Sequence, residues 1–257
     1  MIGRLHELAA LVADEWPTLE HALAGLRTID EWGRRHHDAR GCFAAAYRIV
    51  TVAVAVALDR DEFVDPAWVT QVVLDFAERY RLAVSAAACG LPGPRCWAAA
   101  LRHPPDGSLL AIVALLHAMI AHIHHDLAHT LGACAPIHPH RAADYERLGV
   151  VICSATPAIQ RELVAVYVPD LRGLHTALRG ADTWLTVTLV RAWRARARTV
   201  AGRMVASPAD AVAWSRRLER ESTALAAVLD LLTAPLPRRP RVTAPAATMS
   251  RSADRSW

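Results

Sequence analysis

The stretch Ser108–Gly132, SLLAIVALLHAMIAHIHHDLAHTLG, constrains this chain more than any other. It is apolar on every side from Leu109 to Leu131, broken only by histidines, one aspartate and a threonine. A helix that is apolar all round belongs inside a core or a membrane. On a helix, positions i, i+3, i+4 and i+7 share a face. Here those positions are His122, His125, Asp126 and His129, while His117 and His124 point the other way. The helix therefore carries imidazoles and a carboxylate into the interior. Buried charge is costly unless paired, and buried polar groups need partners. The cluster calls for a metal, a ligand or a polar network.

The rest of the pattern is helical too. Apolar stripes at helical spacing run through Arg4–Arg27, Arg40–Leu58 and Asp65–Ala88. Trp16-Pro17 interrupts the first, and Asp65-Pro66 opens the third with an N-cap followed by proline. Thr28–Gly41 reads as polar and irregular. Arg95–Arg102 is a short helix between proline-rich breaks, and Arg141–Val168 is a long one with a kink at Pro157. Pro169–Gly180 reads as a connector. Two more helices follow, Asp182–Val205 and one from Ser207-Pro208 to Leu232. No stretch shows convincing strand alternation. The expectation is an all-α fold: one bundle-like, multi-helix domain over residues 1–233 around a buried central helix. Residues 234–257, rich in Pro, Arg and Ser, read as a disordered tail.

Composition narrows the function classes. Hydrophobic residues make up 53% of the 257, enough for a sizeable core. All 29 basic residues are arginine, the net charge is only +4, and no basic stripe is interleaved with aromatics, so nucleic acid is not an expected partner. Five cysteines without a C-x-x-C pattern read as buried free thiols in a reducing, cytoplasmic setting. Cys42–Leu58 and Leu109–Ile123 are apolar enough to question, but read as core helices, so no membrane span is expected.

Five stretches together resemble the bacterial family DUF5995: GCFAAAYRIVTVAV, FVDPAWVTQVVLDFAERYRLAV with Trp97 beyond it, LHAMIAHIHHDLAHTL, RAADYERLGVV and VRAWRARARTVA. The resemblance implies an all-helical fold and carries no established reaction. It matches His122 and Asp126 to the family's His and Asp, and Asp144 to the acid of the fourth element. His124 and Gly149 stand where the family pattern has asparagine.

Three functions are compatible with these residues. In the first, the chain is a metal-dependent, hydrolase-type enzyme acting on a small molecule. His122, Asp126, His129 and Asp144 would hold a divalent Zn, Mn or Fe ion, and His122, Asp126 and His125 would form the catalytic group, His125 as base. In the second, it is a metal-free helical cavity protein of specialised metabolism that binds or cyclises an apolar small molecule. Tyr47, Phe76, Tyr80 and Trp97 would line the pocket. In the third, it is a structural or interaction protein that uses Arg191, Arg194 and Arg198 against an acidic partner.

Overall fold

A computed structural model describes residues 2–102, 108–134, 139–169 and 181–233. The described residues are helical, with no strand among them. The tail expected from residue 234 and most of the connector over 169–180 lie outside them. The helices are α1 (Ile2–Leu11), α2 (Leu19–His36), α3 (Arg40–Asp59), α4 (Pro66–Ala88) and α5 (Trp97–Leu101). Then comes the central rod: α6 (Ser108–Met119), a π-helical segment (Ile120–Asp126) and α7 (Leu127–Ala133). It is followed by α8 (Pro139–Val166), α9 (Ala181–Ala206) and α10 (Pro208–Thr233). The rod packs against α5, α3, α9 and α10, and α3 lies between α2 and α8.

Local chemistry sets the boundaries. Thr18 accepts the His21 amide at 3.3 Å to start α2, and Asp65 accepts the Trp68 amide at 3.0 Å to start α4 with Pro66 next to it. One boundary differs from the sequence reading. Residues 28–36 continue α2 instead of forming an irregular segment. The reason is burial: Ile29, Trp32 and Gly33 extend the apolar stripe begun by Ala22 and Leu26. The helix stops at His37, whose φ of 51° places it in the left-handed region and whose amide caps the last turn. Gly33 then meets Gly41. A Cβ on Gly33 would stand 2.5 Å from the Gly41 Cα, so α2 and α3 can cross this closely only with glycine at both positions.

Side chains bonded to main chain lock distant helices together. Trp68 Nε1 donates to the Cys134 carbonyl at 3.1 Å, joining α4 to the end of the rod. Tyr145 donates its hydroxyl to the Arg194 carbonyl at 2.8 Å, joining α8 to α9. Cys42, Cys96 and Cys134 are buried free thiols as expected, but Cys89, just past the end of α4, is exposed. Length and composition alone would let Arg40–Asp59, Ala111–Ala133 and Arg141–Val166 cross a membrane. Within this fold, 56% and 67% of the most apolar windows of the first two are buried.

Candidate functional site: a histidine–aspartate corner beside an apolar cavity

The rod is an α-helix on either side of the histidine cluster but not through it. Across Ile120–Asp126 the backbone widens, and the Leu127 amide bonds back to the His122 carbonyl, five residues earlier. Such π-helical turns are rare and recur at functional sites. The widening alters the face expected from regular spacing. Asp126 remains beside His122, with Nδ1 to Oδ2 at 3.4 Å, and His125 Nδ1 meets Oδ1 at 2.8 Å. The His129 ring lies 4.8 Å from that of His125, and its Nε2 has no partner among the described residues.

Three groups from outside the rod complete the corner. Trp97, the first residue of α5, donates its indole N–H to Asp126 Oδ2 at 2.8 Å. Glu219 of α10 brings Oε2 to 3.1 Å from His125 Nε2. His125 thus stands between two carboxylates, Asp126 at Nδ1 and Glu219 at Nε2. Cys96 lies alongside, and ligand atoms of Cys96, His125 and Asp126 all fall within 4.8 Å of one another. Burial opposes the ionised form of Asp126, but the hydrogen bonds from His122 and His125 outweigh it and hold the carboxyl at about 2. His122 goes the other way: complete burial pushes its pKa down, and Asp126 offsets that only in part. It is therefore a neutral imidazole, with the Nδ1 proton on Asp126 and Nε2 as an acceptor.

That acceptor is unused. Among the described residues, seven buried polar side-chain atoms lack a partner, and three of them sit in one cluster: His122 Nε2, Tyr47 OH and Tyr80 OH. Phe76 stacks on the His122 ring at 3.5 Å and 9°. Tyr47, Phe43 and Trp97 stand edge-on or tilted at 4.9, 5.4 and 5.8 Å. Against this wall lies a cavity of about 330 Å³, lined by α3, α4, the rod, α8 and α9. Its surface is almost wholly apolar, and its lining includes His122, Tyr47 and Phe76 together with Gln160, three threonines and Arg194. Of the aromatics expected to line a pocket, Tyr47 and Phe76 do so. Tyr80 and Trp97 stand behind them, Tyr80 with its ring centroid 5.5 Å from that of Trp97.

Asp144, expected as a metal ligand, holds a different position. Its two oxygens accept the Val64 and Asp65 amides at 2.8 and 2.7 Å, securing the turn that opens α4. Glu219 is the acid that approaches the histidines instead. Periodicity within one helix could not have found it, since it lies 94 positions from His125 on another helix. His117 and His124 do face away, as expected. His117 meets Asp230 at 3.0 Å and His124 meets Ser222 at 2.9 Å. The arginine face of α9 divides. Arg198 pairs with Glu146 at 3.3 Å, Arg191 is exposed, and Arg194 is buried and lines the cavity.

Fold and site together define an all-helical protein with a buried histidine–aspartate corner opening on an apolar cavity. Residues 19–235 match the profile of a family of unknown function, DUF5995, and the chain belongs to that family. No curated protein and no solved structure matches the chain.

Proposed function

We propose that this protein binds an apolar small molecule in the 330 Å³ cavity and orients it through one hydrogen bond to His122. The observation that carries this reading is the unpartnered Nε2 of a fully buried imidazole whose other nitrogen is held by Asp126. A buried polar atom without a partner costs about 1–3 kcal/mol, so its retention calls for a ligand that satisfies it. The aspartate fixes the tautomer, leaving a lone pair that accepts from a hydroxyl or N–H donor. Tyr47, lining the same cavity, can donate or accept. Pockets of this size and character suit small ligands recognised by shape plus a few polar contacts.

Decanol is a suitable probe, with an apolar chain and one hydroxyl. It is expected to raise the melting temperature and quench tryptophan emission, because Trp97 adjoins His122. His122→Phe and Tyr47→Phe should each weaken binding by roughly 2–10-fold, the worth of one neutral hydrogen bond. If neither decanol nor other uncharged amphiphiles of that size bind, the proposal fails.

The proximity of Cys96, His125 and Asp126 supports a second reading, a divalent ion at the corner. A sulfur, a nitrogen and a carboxylate oxygen suit zinc or iron. This donor set differs from the one drawn from the sequence, sharing only Asp126. Metal analysis of the purified protein tests it. A metal-free preparation whose melting temperature is unmoved by zinc, manganese or iron(II) removes this reading.

A further inference from the structure

Arg194 is 6% exposed and lines the cavity whose other walls are almost entirely apolar. Its guanidinium lies 4.1 Å over the Tyr145 ring, and Nη2 donates to the Tyr145 carbonyl. Among the described residues no carboxylate comes within ion-pair distance of it. This is unusual for α9, whose neighbouring arginines Arg196 and Arg198 pair with Glu221 and Glu146. An arginine remains charged at any relevant pH and offers five donors. A buried charge without a counter-ion is strongly unfavourable, and a cation–π contact and one carbonyl relieve only part of that.

The chain also leaves room for this charge. Gly149, on α8, faces it directly: a Cβ there would stand 3.1 Å from Arg194 Nε and 3.2 Å from Nη2. Any larger residue would push the guanidinium from its place. The glycine therefore accommodates a buried cation at the edge of an apolar cavity, where a packed methionine or leucine would serve stability better.

We infer that Arg194 receives the anionic head of the ligand, and that the ligand is a carboxylic acid with an apolar chain lying along the cavity. The inference rests on the binding role proposed for the cavity and specifies the ligand class. A single negative charge is favoured over a doubly charged phosphate ester, because Arg194 is the only arginine among the described lining residues and His122 is held neutral. Arg194 thus fixes the charged end, and His122 and Tyr47 meet a polar group elsewhere on the molecule.

The test compares decanoate with decanol on the full chain at neutral pH, by calorimetry or tryptophan quenching. Decanoate is expected to bind about tenfold or more tightly than decanol, the range for one charge-assisted hydrogen bond. Arg194→Met should abolish that preference, weakening decanoate binding far more than decanol binding. Gly149→Ala, which displaces the guanidinium without removing it, should reduce the preference in the same direction. It serves as the independent variant if Arg194→Met does not fold. Equal binding of the two probes by the wild type, or a preference that survives in the folded variants, overturns the inference while leaving the cavity reading intact. If neither probe binds, the cavity reading itself falls, and this inference with it.

Discussion

Two buried aspartates, Asp30 and Asp126, show how differently this fold treats internal charge. Asp30, on α2, is 2% exposed and fully engaged. Oδ1 takes Arg34 Nε and the Tyr167 hydroxyl, both at 2.8 Å, and Oδ2 takes Arg34 Nη2 at 2.9 Å and Arg48 Nη2 at 3.5 Å. Glu162 joins the same arginines from α8. The partners come from α2, α3 and the end of α8, so the group ties three segments together, with Arg48 Nε its one unpartnered buried atom. Asp126, 3% exposed, is equally well bonded, but one of the residues bonded to it, His122, is not. His122 keeps one nitrogen idle beside a cavity, and the tyrosine hydroxyls around it are idle as well. A network that ties several helices together stabilises a structure; one that leaves an acceptor unused at a cavity wall suits the ligand-binding role proposed above. The contrast sets an aspartate that ties helices together apart from one whose histidine partner is open to the ligand proposed above.

The comparison can be broken most sharply at Asp30. Asp30→Ala strands two arginines and a tyrosine and should cost about 3–5 kcal/mol in denaturant unfolding. The lower end is expected, since Arg34 and Arg48 are each about a third exposed. Probe binding by the folded fraction should not change. A variant as stable as the wild type would show that the network is not structural.

Acid should act on the rod through its buried histidines. His122, His124 and His129 all have pKa values pushed below the usual 6.5 by burial, the last two to about 4. Between about 6.5 and 4 the unfolded chain takes up protons that the folded one does not, so stability falls as pH drops through that window. His124 alone accounts for at most on the order of 3 kcal/mol. Unfolding measured at several pH values checks the slope, and His124→Asn should flatten it. A stability flat down to pH 4 would contradict the burial of these rings as neutral groups.

Asp126→Asn keeps the shape but removes the charge. It should cost about 1–3 kcal/mol through the Trp97, His122 and His125 contacts, and it should weaken decanol binding because the His122 tautomer is no longer fixed. An unchanged probe affinity would detach His122 from recognition.

The smallest effect carries an opposite sign. Tyr47→Phe deletes a buried hydroxyl without a partner and should leave stability unchanged or raise it by about 1 kcal/mol while lowering affinity. A loss of stability instead would mean that the hydroxyl is satisfied within the fold.

The sequence by itself determined that the chain is helical, where most helices begin, and which helix is buried. Those properties follow from local spacing: the stripe Val69, Val72, Phe76 and Tyr80, the Asp65-Pro66 start, and the unbroken apolar run about His122. It also brought His122, His125 and Asp126 together, because one turn of helix places them side by side. Residues 28–36 escaped that reading because their charged and polar positions masked a stripe that only burial against α3 reveals. Tertiary structure alone decided the rest. Asp144 was drawn to the amides that open α4, while Glu219 and Trp97 came to the corner from other helices. Arg194, one of several arginines along α9, turned inward over Tyr145 because Gly149 leaves it space. The cavity has no sequence signature, because it is bounded by five packed segments and exists only once they meet. Spacing along a chain fixes neighbours within a few turns of helix; which side chains share a buried site across tens of residues is fixed by the packing of whole helices.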